Sequence, residues 1–112
     1  MDCIFCKIIA GDIPSAKVYE DDMVVAFKDI NPQAPVHLLV IPKLHIPCAD
    51  EITSDNATVA AHIFAVIPKI AEEQGIKGKY RIINNCGAEA GQTVFHLHFH
   101  ILGGCEFTES LI

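Results

Sequence analysis

The chain has 112 residues, of which 51% are hydrophobic and 20% charged, with fourteen acidic and eight basic side chains. This composition excludes a disordered chain and predicts a single folded domain over residues 1–112. The formal net charge of −6 disfavours nucleic acid or an anionic membrane as a partner, because both need clustered basic residues. A small phosphorylated ligand stays compatible with this charge, since a few backbone N–H groups can hold one phosphate.

The opening residues, MDCIFCKIIAGD, contain no apolar segment of the kind found in secretory signal peptides, so we expect no such signal. No apolar run approaches the roughly 20 residues that a membrane-spanning helix requires. The five cysteines show no disulfide-scaffold spacing, which suits a reducing compartment. We therefore expect a cytoplasmic protein.

The first half of the chain predicts a short helix followed by three strands. Gly11 is a natural stop for the helix, and an acidic turn joins the first two strands. A loop with two prolines then leads to a strongly apolar strand that Pro42 closes. In chain order the helix, two strands, loop and third strand cover residues 3–11, 16–21, 23–29, 30–35 and 36–42.

The second half predicts one long helix over residues 54–75 and two further strands. Ser54 is a candidate N-cap, Gly75 a natural stop, and His62 is expected to face solvent or a dimer seam. Because no regular alternation of strand and helix appears, an antiparallel sheet with helices packed on it is the predicted α+β architecture. Apolar residues recur at helical spacing at Val59, Ile63, Ile67 and Ile70, and the last strands cover residues 79–85 and 94–102.

The stretch TVFHLHFHIL sets His96, His98 and His100 one residue apart. On one strand the three rings would share a face, about 7 Å between neighbours and about 13 Å between the outer two, while the apolar residues between them enter the core. That spacing argues against one metal ion held by all three. Because neutral imidazole can act as nucleophile, base or ligand near pH 7, the pattern favours a chemical site over a solvated strand face.

The glycine-bearing turn CGAEAGQ, residues 86–92, comes just before the histidines. Gly87 and Gly91 let the backbone approach a ligand with its N–H groups, and Gln92 and Thr93 add polar side chains. A phosphate-binding turn that leads into a histidine segment is typical of a phosphoryl-transfer site.

With these motifs the sequence resembles the histidine triad (HIT) superfamily, and GQTVFHLHFHILGG is similar to its Hint branch, which includes purine nucleoside phosphoramidases. The resemblance extends to IFCKIIAGDIP and DINPQAPVHLLVIPKLH, and so covers the chain to about Gly104. It implies a single HIT domain with a five-stranded antiparallel sheet, one long and one short helix, and a homodimer. It also implies attack by a histidine on the α-phosphorus of a purine nucleotide, followed by hydrolysis of the nucleotidyl-histidine.

The resemblance implies a role for each matching residue. His98 would be the nucleophile, His100 would bind the phosphate, His37 would lie beside the nucleophile, and Thr93 would reach the scissile bond. Asp29 would accept the ribose hydroxyls. The phosphate oxygens would be held by Asn85 and by Gly91, Gln92 and Thr93, and the base would lie among Ile4, Phe5, Ile13, Phe27 and Ile30.

Cys3 and Cys6, in CIFC, have the spacing of a zinc knuckle. His45 and His96 are candidates to complete a Cys₂His₂ set, and similarity to family members with this cysteine pair implies a structural Zn²⁺ with the first triad histidine as a ligand. Two free thiols and, less favoured by the compartment, a disulfide are the alternatives. The remaining cysteines show no partner pattern and are interpreted as space-filling: Cys48, Cys86 and Cys105.

Three functions stay open from the sequence: a nucleoside phosphoramidate hydrolase that forms an adduct on His98, a hydrolase whose zinc activates water, and a non-catalytic nucleotide-binding module. A dinucleoside polyphosphate hydrolase is a further alternative, which the shortage of Lys and Arg near the motif disfavours. The tail after Gly104, CEFTESLI, departs from the family, whose members commonly continue into a tryptophan and prolines. Substrate preference is therefore less defined by the sequence than catalytic class.

Overall fold

The computed structural model describes residues 3–111 and confirms the predicted α+β fold. Five strands form one sheet in which every neighbouring pair is antiparallel. The helices and strands are α1 (Ile4–Ala10), β1 (Lys17–Glu20), β2 (Val24–Lys28), β3 (Val36–Pro42), α2 (Ala57–Glu73), β4 (Tyr80–Ile83) and β5 (Phe99–Gly103). The spatial order is β1-β2-β3-β5-β4, so β5 is inserted between two strands that precede it in the chain.

The two faces of the sheet pack on different helices, because side chains alternate along each strand. Leu38 and Val40 of β3 belong to the core that includes the buried face of α2. Leu39 and Ile41 point the other way and pack with the buried residues of α1. Leu39 is paired with His100 of β5, so the α1 face of the sheet also carries the histidines.

Helix α2 begins and ends close to the predicted positions. Gly75 follows its last turn with φ +75°, the left-handed conformation that glycine adopts at a helix stop. The predicted cap at Ser54 is wrong: the helix is preceded by Asn56, whose Oδ1 accepts a hydrogen bond from the Thr53 backbone N–H at 2.7 Å. The buried residues recur at helical spacing as predicted and are Val59, Ile63, Val66, Ile67, Ile70 and Ala71.

Asp21 holds the β1–β2 hairpin together without a glycine in the turn. Its Oδ1 accepts hydrogen bonds from the backbone N–H groups of Met23 at 2.7 Å and Val24 at 2.9 Å. Its Oδ2 accepts from the Tyr19 hydroxyl at 2.8 Å and lies 2.7 Å from Nε2 of His62 on α2. The His62 side chain is 32% exposed, so it faces solvent only in part, and its ring joins the long helix to this hairpin.

The final strand is shorter than predicted. It begins at Phe99, so His96 and His98 lie before it, His96 in a bend, and not on a regular strand. Before Phe99 the chain makes hydrogen bonds outside the ladder of the final strand. Leu97 donates its backbone N–H to the Ile46 carbonyl at 2.6 Å, and the His96 ring donates to the Pro42 carbonyl at 2.8 Å. The predicted alternation persists, since the apolar residues between the histidines are buried in the α2-side core.

The C-terminal tail returns to the edge strand β4. The Arg81 guanidinium lies 4.6 Å from the centre of the Phe107 ring and donates a hydrogen bond to the Thr108 carbonyl at 2.8 Å. A cation–π contact and a hydrogen bond thus fix the segment that departs from the family pattern. Within residues 3–111, neither helix has the length and apolar character needed to cross a lipid bilayer.

We expect Asp21→Ala to lower the free energy of unfolding by about 2 kcal/mol, because two backbone N–H groups and the Tyr19 hydroxyl lose their acceptor. Urea denaturation followed by circular dichroism measures this. The matched control is Asp22→Ala, since Asp22 is the neighbouring carboxylate and is exposed. Equal losses in the two variants would contradict the assigned role.

The same pair of variants gives a pH dependence. Burial raises the pKa of Asp21, but hydrogen bonds from His62, Met23, Tyr19 and Val24 outweigh it and hold the pKa below the ordinary value of 3.8. The stabilisation from ionised Asp21 is therefore complete above pH 3.8 and is lost as the pH falls toward the folded-state pKa. The difference in unfolding free energy between wild type and Asp21→Ala should shrink over that acid range.

Candidate active site and metal centre

An apolar pocket of about 300 Å³ opens on the α1 face of the sheet. Phe5 of α1 and Phe27 of β2 meet edge to face in its wall, with ring centres 5.6 Å apart. A second cavity of about 380 Å³ shares Ile4, Ile8, Phe27, Asp29 and Ile30 with it and continues to residues 13–16. The polar residues that line the first pocket are Asp29, Thr93, His98 and His100.

The predicted base-binding residues therefore converge. Ile4 and Phe5 line the first cavity, Ile13 lines the second, and Phe27 and Ile30 line both. Phe5 and Phe27 are buried, whereas Ile4 is half exposed and Ile30 fully exposed. These apolar surfaces can enclose a flat, largely apolar group.

Hydrogen bonding fixes the tautomer of His98. Nδ1 lies 2.7 Å from the backbone carbonyl oxygen of His96, and a carbonyl can only accept, so Nδ1 carries the proton. In the neutral ring Nε2 then holds an unshared electron pair. Phe5 packs its edge against the ring at 5.1 Å and 88°, which restricts ring rotation. The arrangement leaves a nucleophilic nitrogen on a residue that lines the pocket.

His37 and His100 form a directed pair. The Gln33 backbone N–H donates to Nδ1 of His37 at 2.9 Å, so the proton of this ring is on Nε2. Nε2 of His37 lies 2.9 Å from Nδ1 of His100 and donates to it. The His100 proton is thereby placed on its Nε2. Since His100 lines the pocket and its ring centre is 5.1 Å from that of His98, it can offer an N–H beside His98.

Burial keeps His100 uncharged. Desolvation is the main cause that lowers its pKa to about 4, and the neighbouring His98 and His37 rings lower it further. Asp29 opposes this shift only weakly. His100 is therefore a neutral hydrogen-bond donor at physiological pH.

Asp29 lies at the junction of the two cavities with its side chain 17% exposed. Oδ1 accepts the Asn31 backbone N–H at 2.8 Å, and Oδ2 is 3.4 Å from Nε2 of His37. These contacts orient the carboxylate and leave acceptor capacity for the hydroxyls of a ligand. A carboxylate on vicinal hydroxyls is a common means of holding ribose.

Asn84, which no sequence pattern indicated, contacts the backbone of His98. Its Nδ2 donates to the His98 carbonyl at 2.9 Å. Asn85, predicted to hold phosphate oxygens, lies beside Gly91 of the glycine-bearing turn: a Cβ atom added to Gly91 would be 3.7 Å from the Asn85 Nδ2. Its contact with phosphate stays a prediction.

The predicted phosphate-binding turn is rigid. Gln92 is 3% exposed, and its amide accepts from the Gly87 backbone N–H at 2.9 Å and donates to the carbonyls of Pro47 and Val94 at 2.8 and 3.0 Å. The Gln92 side chain therefore braces the turn from inside. Gly91, at φ +95°, is exposed, and Thr93 is exposed at the pocket wall.

Four predicted metal ligands come together behind the pocket. Cys3 Sγ is 3.4 Å and Cys6 Sγ 3.6 Å from Nδ1 of His96, and Nδ1 of His45 is 3.3 Å from Cys6 Sγ and 3.1 Å from Nδ1 of His96. All four ligand atoms lie within 4.8 Å of one another, so the group could hold a metal ion. We call it the Cys₂His₂ cluster.

Hydrogen bonds around the Cys₂His₂ cluster leave its ligand atoms able to bind a metal ion. Nε2 of His96 lies 2.8 Å from the Pro42 carbonyl and must donate to it, which leaves the electron pair on Nδ1, facing the sulfurs. Burial also lowers the pKa of His96, so the ring is neutral. The Cys6 backbone N–H donates to Cys3 Sγ at 3.3 Å, an interaction that favours a thiolate there.

A second group of metal-ligand type, formed by Asp29, His37 and His100, has a different explanation. The 2.9 Å separation of its two nitrogens is that of an N–H···N hydrogen bond, and the proton on it follows from the Gln33 contact. Hydrogen bonds therefore account for the closeness of these side chains.

Two cysteines interpreted as space-filling are neighbours. Burial raises the pKa of Cys48, and the adjacent Cys86 thiol raises it further. Cys105 is exposed on the tail. No spacing along the chain indicates the Cys48–Cys86 contact, because it depends on the Gln92 side chain that joins the two segments.

Comparison with known proteins agrees with this geometry. The family model described as scavenger mRNA decapping enzyme C-term binding matches residues 2–108. A purine nucleoside phosphoramidase of Escherichia coli K12 is 45% identical over 104 residues, 92% of this chain and 87% of that protein. An uncharacterized HIT-like protein of Synechocystis is 50% identical over 107 residues, 96% of this chain and 94% of that protein.

Solved structures give the same result. A HIT family hydrolase from Clostridium thermocellum superposes with a TM-score of 0.96 at 51% identity, covering 99% of this chain and 97% of that one. A histidine triad protein from Clostridium difficile superposes with a TM-score of 0.93 at 52% identity, covering 98% and 96%. The resemblance seen in the sequence is thus confirmed, and the chain belongs to the histidine triad family of hydrolases.

Proposed function

We propose that this protein hydrolyses a purine nucleoside phosphoramidate, or a related nucleotide, through a covalent nucleotidyl intermediate on His98 and releases the nucleoside monophosphate. The observation that carries the proposal is the hydrogen bond from His98 Nδ1 to the His96 carbonyl, which leaves the Nε2 electron pair free on a pocket residue. The similarity to the Escherichia coli purine nucleoside phosphoramidase supports this substrate class.

In the first step, Nε2 of His98 attacks the α-phosphorus. The Nε2–P bond forms as the bond from phosphorus to the leaving amine breaks, and the amine takes a proton from solvent by way of the Thr93 hydroxyl at the pocket wall. The positive charge that develops on the His98 ring is stabilised by the His96 carbonyl. No activated hydroxyl is needed, because neutral imidazole is already a nucleophile.

In the second step, water attacks phosphorus and the Nε2–P bond breaks. The electron pair returns to Nε2, and the proton lost by the water is released to solvent. In both steps Nε2–H of His100 donates to a phosphate oxygen as its charge grows, while His37 keeps that proton in place. Asp29 accepts the ribose hydroxyls, and Phe5 and Phe27 enclose the base.

The charge of the pocket favours a substrate with one central phosphate over a dinucleoside polyphosphate. Among the described residues that line the first pocket, none is Lys or Arg, and Asp29 is the charged one. A long polyphosphate would meet no cation there. Release of a single neutral amine is easier to accommodate in such a pocket.

We also propose that the Cys₂His₂ cluster holds a structural Zn²⁺. Zn–S bonds of about 2.3 Å and Zn–N bonds of about 2.0 Å at tetrahedral angles separate sulfur from nitrogen by about 3.5 Å and nitrogen from nitrogen by about 3.3 Å. The observed separations of 3.1–3.6 Å fit these values. Burial and the adjacent Cys3 thiol raise the pKa of Cys6, an unfavourable effect on the thiolate that a cation would reverse.

The position of the cluster argues against zinc-activated water. Its four ligands would complete the coordination of a tetrahedral ion, and none of them lines the pocket that contains His98. When bound, the ion would fix α1 to the histidine segment. A site with reduced cysteines also suits the cytoplasm, where we place the protein.

His98→Ala should abolish the covalent intermediate and reduce kcat at least 10³-fold, because no other nitrogen can take its place. Quenched single-turnover reactions with adenosine phosphoramidate, read by intact mass, should show an added adenylyl group in the wild type alone. Turnover without an adduct in the wild type would refute the covalent mechanism. Nucleotide binding with no turnover in the wild type would leave only a binding module.

Asn84→Asp should reduce kcat roughly tenfold to hundredfold, because a carboxylate cannot donate to the His98 carbonyl and adds negative charge near the phosphate. The adjacent change Asn85→Asp supplies the comparison and should cost less, since Asn85 lies beside Gly91. Steady-state kinetics on the two purified variants measures both losses of kcat. A greater loss in Asn85→Asp than in Asn84→Asp would contradict the role proposed for Asn84.

Cys6→Ser should lower the zinc content from about one ion per chain to near zero and decrease Tm by several degrees, because the ion contributes folding free energy. Mass spectrometry of metals and calorimetry measure the two effects. Cys105→Ser is the matched control, since its thiol is exposed and outside the cluster. Exchange of zinc for another tetrahedral ion should leave turnover intact, and a large change would favour a catalytic metal.

We propose finally that the protein is a homodimer joined along β4. This strand lies at the edge of the sheet, and Ile82 on β4 and Phe64 on α2 are 37% and 50% exposed. Light scattering should give about twice the 12.2 kDa chain mass. Ile82→Lys should shift the mass toward one chain, because a charge at an edge strand opposes pairing, whereas Leu111→Lys on the exposed tail should not.

A further inference from the structure

Ser15 carries a buried hydroxyl without a partner. Its Oγ has almost no contact with solvent and makes no hydrogen bond, and within residues 3–111 no other buried side-chain nitrogen or oxygen is in this state. An unpaired buried hydroxyl costs free energy that alanine at the same position would avoid. A residue that destabilises the unliganded protein in this way needs another explanation.

The position of Ser15 suggests what that explanation is. It lines the second cavity together with Ile8, Ile13 and Phe27, which are apolar. The backbone on its C-terminal side is held by the sheet, because the Ala16 carbonyl accepts the Lys28 backbone N–H at 3.0 Å. Ser15 is therefore held at the wall of the cavity by the sheet and is not carried there by a loose loop.

The other polar groups of this cavity have different roles. The Asp29 carboxylate is oriented by Asn31 and His37, and the Lys28 side chain is exposed. The Ser15 hydroxyl is thus the uncommitted hydrogen-bonding group among apolar walls. One step between staggered χ1 rotamers moves a serine Oγ by about 2 Å, enough to turn it from the wall to a ligand.

We propose that Ser15 is a specificity-determining residue whose hydroxyl pairs with a nitrogen or exocyclic group on the edge of the purine base. The inference rests on the proposed nucleotide substrate and extends it from the phosphate to the base. Apolar walls accept any flat ring, whereas one buried hydroxyl discriminates by leaving itself unpaired when the wrong edge is presented. The hydroxyl can donate to a ring nitrogen or accept from an amino group.

The experiment is a binding cycle with product nucleotides, which needs no turnover. Dissociation constants for AMP, GMP, purine riboside 5′-monophosphate and the 1-, 3- and 7-deaza analogues of AMP are measured by calorimetry on the wild type and Ser15→Ala. Ser15→Ala should weaken the preferred nucleotide roughly threefold to tenfold. The analogue that lacks the paired group should bind the two proteins equally.

Two further measurements separate this role from a structural one. The Tm of unliganded Ser15→Ala should equal or exceed that of the wild type, because the unpaired hydroxyl is gone. Ser54→Ala, at an exposed serine before α2, should change neither Tm nor affinity. A lower Tm for unliganded Ser15→Ala, or equal effects on all nucleotides, or no effect on any, would overturn the proposal.

The outcome also separates this inference from the proposed function. A wild type that binds no nucleotide would overturn both. Base-dependent coupling at Ser15 without an adduct on His98 would support the specificity role and refute the covalent mechanism. An adduct on His98 with no coupling at Ser15 would do the reverse.

Discussion

The hydrogen bond from Nδ1 of His98 to the His96 carbonyl links the two halves of the site. His96 belongs to the Cys₂His₂ cluster through its side chain and to the active site through its backbone. The cluster therefore determines where that carbonyl lies, and the carbonyl determines which His98 nitrogen is free. Disorder in the cluster would therefore displace the carbonyl that accepts from Nδ1 of His98.

In the His37–His100 pair, too, a backbone group decides which ring nitrogen carries the proton. The Gln33 backbone N–H sets the His37 proton, which in turn sets the His100 proton. Each hydrogen bond has one direction, so His98 in its neutral form presents an electron pair while His100 presents an N–H. The two side chains present opposite groups because a backbone carbonyl contacts Nδ1 of His98, whereas the His37 N–H contacts Nδ1 of His100.

Much of this organisation could be predicted from local patterns. The alternation of His96, His98 and His100 with buried apolar residues follows from the pleat of an extended chain, and the Cys-x-x-Cys spacing with two histidines predicted the cluster that the structure assembles. The histidine alternation and the cysteine pair are short-range signals, because a few neighbouring residues carry each of them. The histidine partners of the cysteines, 39 and 90 residues from Cys6, follow from ligand type and from the family resemblance.

The errors have a common physical cause. The final strand begins only at Phe99 because the carbonyls of Pro42 and Ile46, about fifty residues away, accept the hydrogen bonds of His96 and Leu97. His62 turns to Asp21, 41 residues away, and Asn84, which no pattern indicated, contacts the His98 carbonyl, 14 residues away. Strand ends and buried polar contacts depend on partners that folding supplies, whereas periodicity belongs to the segment itself.

Burial lets a neutral imidazole act at physiological pH, and it also has an energetic cost. The pKa of His100 falls from an ordinary 6.5 to about 4 on folding, so the folded state binds fewer protons than the unfolded state between these values. The stability associated with neutral His100 is therefore complete above pH 6.5 and declines as the pH falls toward 4. Acid thus destabilises the fold through His100. Protonation of its Nδ1 would also remove the acceptor of the His37 hydrogen bond, which orients the His100 N–H that we propose binds the phosphate.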